Sequence, residues 1–254
     1  MNRYIISKTL ALVPKSMTSE MQKRFIYTIP EIPYLNTGIK NFISTQSLKQ
    51  HLKIHKDDVE KANNFVQRTP WEETTINQAI VQSFNSIEDA PFFEAVSSHY
   101  NHSFFWRSLS NIKQNPSLYM KKALELDFGS FGSFQQKFSQ TASALNVPGF
   151  AWLVFHDKTL RVITTFGSGS PLELHNCYPL LCLDLYEHSY MMDHGNDKNK
   201  YIANFWANVN WKFVEKKFLN ALVADRDYKL RLESLAGAQS YAFEKYMQEK
   251  EGKI

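Results

Sequence analysis

Cysteine is almost missing from this chain: only Cys177 and Cys182 occur. Two thiols so close in sequence do not make a disulfide framework, and they have no zinc-ligand company of their own. They read as two buried thiols in a reducing compartment. Glycine is scarce, at nine residues in 254. No apolar run reaches the ~18 residues that a membrane-crossing helix needs, so no membrane partner is expected. There is no internal repeat, no low-complexity stretch, and no alternation of strand and helix of the kind that marks a parallel sheet.

What is present describes a globular chain. Hydrophobic residues make up 43% and aromatics 14%, which excludes a disordered protein. The net charge is +4 and the isoelectric point is near 8.8. That mild basicity permits an anionic partner such as RNA or a small anion without demanding one, and nothing points to DNA. The first residues, MNRYIISKTLALVPKSMTSEMQKRF, carry Arg3, Lys8, Lys15, Lys23 and Arg24 against the single acid Glu20. Serine, threonine and an apolar stripe of Tyr4, Ile5, Ile6, Leu10 and Leu12 are interspersed. A basic, acid-poor, amphipathic leader is the pattern of a mitochondrial transit peptide, expected here over residues 1–27, with the matrix as destination.

After proline-punctuated IPEIPYL, helical periodicity is expected over about 40–66, 74–84 and 90–111. His51 and His55 fall on one face of the first of these helices. SLYMKKALELDFGSFGSFQQKFSQTASAL reads as two helices meeting at Gly129. From 148 the pattern alternates, and PGFAWLVFHDKTLRVITTFG predicts a β-hairpin turning at His156-Asp157-Lys158. YPLLCLDL supplies a third strand over 178–185, and helix resumes from 198 to the end. Helices, a short strand meander and then helices again make an α+β layout.

Four residues stand out as ligands: His51, His102, Asp184 and His188. Three imidazoles and a carboxylate suit a divalent or trivalent metal such as manganese, iron or zinc. His102 opens the aromatic run of NHSFFW, where burial favours the neutral, ligating imidazole. Glu187 sits beside His188, either as an acceptor behind that ligand or as a surface carboxylate.

The motifs that carry these residues resemble those of the iron/manganese superoxide dismutases, in collinear order over about 29–218. IPEIPYL resembles the family's opening segment. QHLKIHKDDV falls where the first ligand helix lies, which gives His51. NHSFFW matches the second-ligand motif and gives His102. DFGSFGSFQQKF resembles another family segment, LDLYEHSY matches the motif that carries Asp184 and His188, and NKYIANFWANVNW resembles the family's closing motif. The resemblance implies one manganese or iron ion. It also implies an N-terminal helical hairpin domain (28–113), an α+β domain with a three-stranded antiparallel sheet (114–220), and here a helical C-terminal extension (221–254).

The residues that surround the metal in that family are largely replaced. Val59 stands where the resemblance implies a gateway tyrosine. The glutamine that grips a metal-bound solvent is absent from both of its family positions, which here are Ser98 and the loop GSGSP (167–171). Tyr186 replaces a tryptophan. Met191 replaces the tyrosine that reaches the second histidine of the first helix, so His55 is expected to lose a partner. The extension adds aromatic and basic surface. Superoxide-dismutase-like proteins that have lost activity occur in the small subunit of fungal mitochondrial ribosomes. The eroded surroundings, the leader and the tail together lead to the expectation of a structural mitochondrial ribosomal protein. It would have no catalytic residue, would pair with a superoxide-dismutase-like chain or with itself, and would meet small-subunit proteins and rRNA. The alternative is a working mitochondrial manganese or iron superoxide dismutase, with Glu187 and His55 assisting the metal centre.

Overall fold

The computed structural model describes residues 26–67 and 69–223, and beyond them Tyr228, Lys229 and Leu232. The leader therefore lies almost wholly outside the described residues, and so does most of the extension.

Helix α1 (Thr45–Val66) starts where Ser44 Oγ accepts the Ser47 N–H at 3.1 Å, which satisfies one of the donors that a helix start leaves free. Its buried positions Leu48, His51, Leu52, His55, Ala62 and Val66 recur at helical spacing. A capping box between Thr75 and Gln78 starts α2 (Ile76–Ser83). Pro91 sits in the first turn of α3 (Ala90–Ser108), where a missing N–H costs nothing. Helix α3 packs against α1, α2 and the sheet, and it is buried on most of its faces. A small core of Tyr27, Ala62, Val66, Ala79, Ile80, Phe92 and Val96 closes this helical domain.

In the second domain α4 (Leu118–Phe128) and α5 (Phe131–Ala144) are divided at Gly129, whose φ of 83° ends the first helix. Strands β1 (Gly149–His156), β2 (Thr159–Phe166) and β3 (Cys177–Asp184) form an antiparallel sheet in the order β2-β1-β3. The α+β architecture is as expected. The hairpin turns on Asp157 (φ 46°) and Lys158 (φ 64°), a left-handed pair with no glycine in it. Gly149 is irreplaceable for a different reason: a Cβ there would stand 2.1 Å from the Thr165 carbonyl oxygen. The main core lies against the sheet and includes Phe104, Trp106, Phe134, Phe138, Trp152, Phe155, Phe205 and Phe218.

Two elements differ from the periodic reading. Helix α6 (Glu187–His194) begins well before residue 198. Only Ser189 in it is buried, so it offers no apolar stripe to read, and packing against α1 and α7 holds it instead. The helix expected from 198 onward is broken into α7 (Lys198–Phe205) and α8 (Trp211–Val223) by a 3-10 turn over Trp206–Asn208. There the backbone pairs with the end of α3: Ser110 N donates to Asn208 O and Asn210 N donates to Ser108 O, both at 2.8 Å. This ties the second domain to the helix that carries His102. Of the extension, Tyr228 and Leu232 are buried on the chain's own second domain. Tyr228 Oη donates to Asp127 Oδ2 at 2.6 Å, and its ring packs on Phe155 and Phe218.

Candidate metal centre

Four elements bring one side chain each to a common point. Helix α1 supplies His51, α3 supplies His102, the end of β3 supplies Asp184 and the first turn of α6 supplies His188. One ligand atom from each lies within 4.8 Å of the others. Asp184 Oδ2 is the hub, 3.2 Å from His51 Nε2 and 3.7 Å from both His102 Nε2 and His188 Nε2. The other carboxylate oxygen accepts the Tyr186 N–H at 2.9 Å, and the Asp184 carbonyl accepts from Tyr201 Oη at 3.0 Å. The carboxylate is thus fixed with Oδ2 turned inward.

All four inward atoms, His51 Nε2, His102 Nε2, His188 Nε2 and Asp184 Oδ2, are buried and have no hydrogen-bond partner. Such atoms cost about 1–3 kcal/mol each when left unsatisfied. Four of them facing one another are explained by a cation that takes their lone pairs. Burial depresses His51, and it drives His102 down to about 3, with the His51 charge adding to the effect. Both imidazoles are therefore neutral and able to ligate at neutral pH. Burial alone pushes Asp184 upward, but the His188 and His51 imidazoles outweigh it and hold the carboxyl well below the usual range. Three imidazole nitrogens and one carboxylate oxygen fit manganese or iron.

Around this cluster the structure places residues that the sequence reading treated differently or missed. His55 is fully buried, and its partners come from α3: Trp106 Nε1 donates to His55 Nδ1 at 3.0 Å, and His55 Nε2 lies 2.8 Å from His99 Nδ1. The loss of a tyrosine at Met191 therefore does not leave His55 unpaired. His99 precedes His102 by one helical turn, a spacing that makes it visible in the sequence in retrospect. Asp58, missed as well, lies two turns beyond His51 on the same helix and reaches the back of His102, with Oδ2 at 3.5 Å from Nδ1. Glu187 is exposed and has no hydrogen-bond partner among the described residues, so within one chain it does not orient His188. Ser168, in the loop that lacks the family's glutamine, is clamped through its carbonyl by Ser97 Oγ at 2.5 Å and Asn101 Nδ2 at 3.2 Å.

Tyr186 closes the cluster on its open side. Its ring stacks on His188 with centroids 5.0 Å apart. It also lines a cavity of about 430 Å³ together with Phe84, Phe93, Glu94, Phe166 and Ser168. Burial, followed by the charges of Asp184, Asp58, Glu94 and Glu187, pushes its phenol up to about 12, so the phenol keeps its proton at neutral pH.

Comparison with known proteins agrees with this geometry. Residues 26–110 match the alpha-hairpin domain of iron/manganese superoxide dismutases, and residues 116–217 match their C-terminal domain. The chain is 34% identical to an iron superoxide dismutase of Babesia bovis over 193 residues, covering 75% of this chain and 94% of that one. It is 33% identical to that of Coxiella burnetii over 195 residues (76% and 98%) and 31% identical to that of Escherichia coli over 193 residues (75% and 97%).

These findings overturn the expectation of a structural mitochondrial ribosomal protein. That expectation rested on the altered surroundings of the metal. The relatives are superoxide dismutases by name, and the four ligand atoms remain buried, mutually aimed and otherwise unsatisfied. A scaffold kept only for its shape would relieve that cost by filling the cluster with apolar side chains. The chain belongs to the iron/manganese superoxide dismutase family.

Proposed function

We propose that this protein is a metal-dependent superoxide dismutase. The observation that carries the reading is the set of four buried ligand atoms with no partner but one another. When bound, manganese or iron supplies one-electron chemistry by alternating between two oxidation states, oxidising one superoxide to oxygen and reducing the next to hydrogen peroxide. The protein's part is positional. His51, His102 and His188 present imidazole nitrogens, and Asp184 contributes the carboxylate. Tyr186 holds a phenolic proton beside His188, next to the cavity that it lines, and serves as a proton donor in this reading. Phe84, Phe93 and Phe166 line the same cavity.

Val59, Ser98 and Ser168 supply no phenol or amide where the family's gateway tyrosine and glutamine would stand. Losses of groups around a metal commonly cost about 10–100-fold each, so turnover is expected to fall below that of the iron enzymes to which the chain is similar. The test is stopped-flow decay of superoxide with metal-replete protein, metal-free protein and His188→Ala. The reading requires decay with the metal-replete protein to exceed both controls; equal rates in all three would end it.

Two further points belong to this proposal. The leader supports delivery to the mitochondrial matrix, which a fusion of residues 1–27 to a fluorescent protein would check by imaging. Pairing with a second copy is supported by Met191 and Met192 on α6, 46% and 43% exposed beside Glu187. Sedimentation equilibrium that returned only the monomer mass would remove that pairing.

A further inference from the structure

His102 is held from behind as well as from the front. Its Nε2 faces the cluster, so its Nδ1 carries the hydrogen and donates to the Ser98 carbonyl oxygen at 2.9 Å. A carboxylate stands at the same place. Asp58 Oδ2 lies 3.5 Å from that Nδ1, and Ser98 Oγ donates to the same oxygen at 2.6 Å. Asp58 comes from α1 and Ser98 from α3, so the tether spans the two helices that also supply His51 and His102. The Asp58 side chain is 14% exposed. A carboxylate at that distance bears on the ring through its charge.

We propose that Asp58, tethered by Ser98, is a positioning residue for His102. While the Ser98 carbonyl takes the Nδ1 hydrogen, the Asp58 charge beside it favours that arrangement of the ring and makes the imidazole a stronger donor at Nε2. A carboxylate behind a ligating histidine raises ligand basicity, which favours the more highly charged oxidation state of the bound metal. The inference rests on the metal-centre reading above and assigns to one pair of residues the tuning of that centre.

The test uses the full chain loaded with manganese. Two quantities are read: the midpoint potential by mediated redox titration, and metal affinity by competition with a chelator. Asp58→Asn keeps the shape and the Ser98 contact but removes the charge. Affinity should fall by about 10-fold or more. The higher oxidation state should lose about tenfold in relative stability, a rise of ~59 mV for a one-electron couple. Ser98→Ala, which cuts the tether and leaves the charge, should shift both quantities in the same direction by less. Glu94→Gln removes a carboxylate that lines the cavity but touches no ligand, and should change neither. Wild-type values in Asp58→Asn overturn the proposal, and so does an equal shift in Glu94→Gln, which would assign the effect to the general field. Should Asp58→Asn fail to fold, Ser98→Ala decides, and unchanged potential and affinity there overturn the proposal. Wild-type protein that takes up no metal is a separate result: it refutes the metal-centre reading itself, and this inference with it.

Discussion

Metal binding should show up as folding stability, because the cluster is costly without it. Four buried atoms face one another unsatisfied, at about 1–3 kcal/mol each. Coordination removes that cost, and a ligand that binds only the folded state stabilises it by mass action. With free metal at 1,000 times Kd the gain is about 4 kcal/mol. A chain of this size gains roughly 2–4 °C in Tm per kcal/mol, so manganese or iron should raise Tm by about 8–16 °C. The controlled perturbation is Asp184→Asn. Asparagine keeps an oxygen to accept the Tyr186 N–H now bonded at 2.9 Å, but it removes the only anionic ligand. Losing a direct ligand should cost at least the ~100-fold at the upper end for groups that merely support ligands. At the same metal concentration the gain then falls to about 1.4 kcal/mol, or roughly 3–6 °C. Scanning calorimetry of the metal-free and metal-loaded forms of both proteins gives the four values. The decisive quantity is the difference between loaded and free, which cancels whatever the substitution does to the scaffold alone. An equal rise in Asp184→Asn and wild type would mean that the metal binds elsewhere, and no rise in wild type would mean that the convergence of the four side chains has another cause.

Three further outcomes are expected. In the metal-free protein burial holds His102 at about 3, His99 at about 4 and His55 at about 2, against ~6.5 unfolded; the unfolded chain binds more protons in that window, so stability is complete above pH ~6.5 and declines as pH falls towards the folded values, which urea midpoints at stepped pH will show. Lys158→Gly should stabilise the protein by up to about 1 kcal/mol, since Lys158 holds a φ of 64° that costs an L-residue about 1–2 kcal/mol, offset by about 0.5–1 kcal/mol of extra unfolded-state freedom, and a clearly lowered Tm would count against the reading. Tyr228→Phe should cost about 1.5–3 kcal/mol in denaturant titration, because it deletes the hydrogen bond from Tyr228 Oη to Asp127.

Most of the framework is legible in the residues because it is built from local signals. β-Branched and aromatic residues on either side of a turn signal mark the two strands of the hairpin, although β1 is buried along almost its whole length rather than at alternate positions, and the left-handed turn falls within His156-Asp157-Lys158. Gly129 separates α4 from α5, and the periodicity of α1 already puts His51 and His55 on one face. Helix α6 has no such signal: one buried residue leaves no stripe, and its position comes from contacts with α1 and α7. Its absence from the periodic reading matters, because α6 carries His188. Spacing alone puts Asp184 and His188 near each other, but only the helix turns His188 Nε2 to within 3.7 Å of the carboxylate.

The surroundings of the metal are where residue-by-residue reading goes astray, and the reason is physical. Substitutions at Val59, Ser98 and Met191 remove particular side chains, but a pocket in a packed interior is defined by what fills it afterwards. His55 lacks a tyrosine at position 191 yet has two partners, His99 and Trp106. Ser98 is too short to grip a solvent molecule in the cluster, yet its hydroxyl holds Asp58 against the back of His102. Neither compensation is visible position by position, since each joins α1 to α3 across forty or more residues of chain. Counting missing groups treats the altered site as a damaged one. The buried, partnered and charged groups that occupy their places describe instead a metal centre with a different set of supports: Asp58 and Ser98 behind His102, His99 against His55, and Tyr186 stacked on His188.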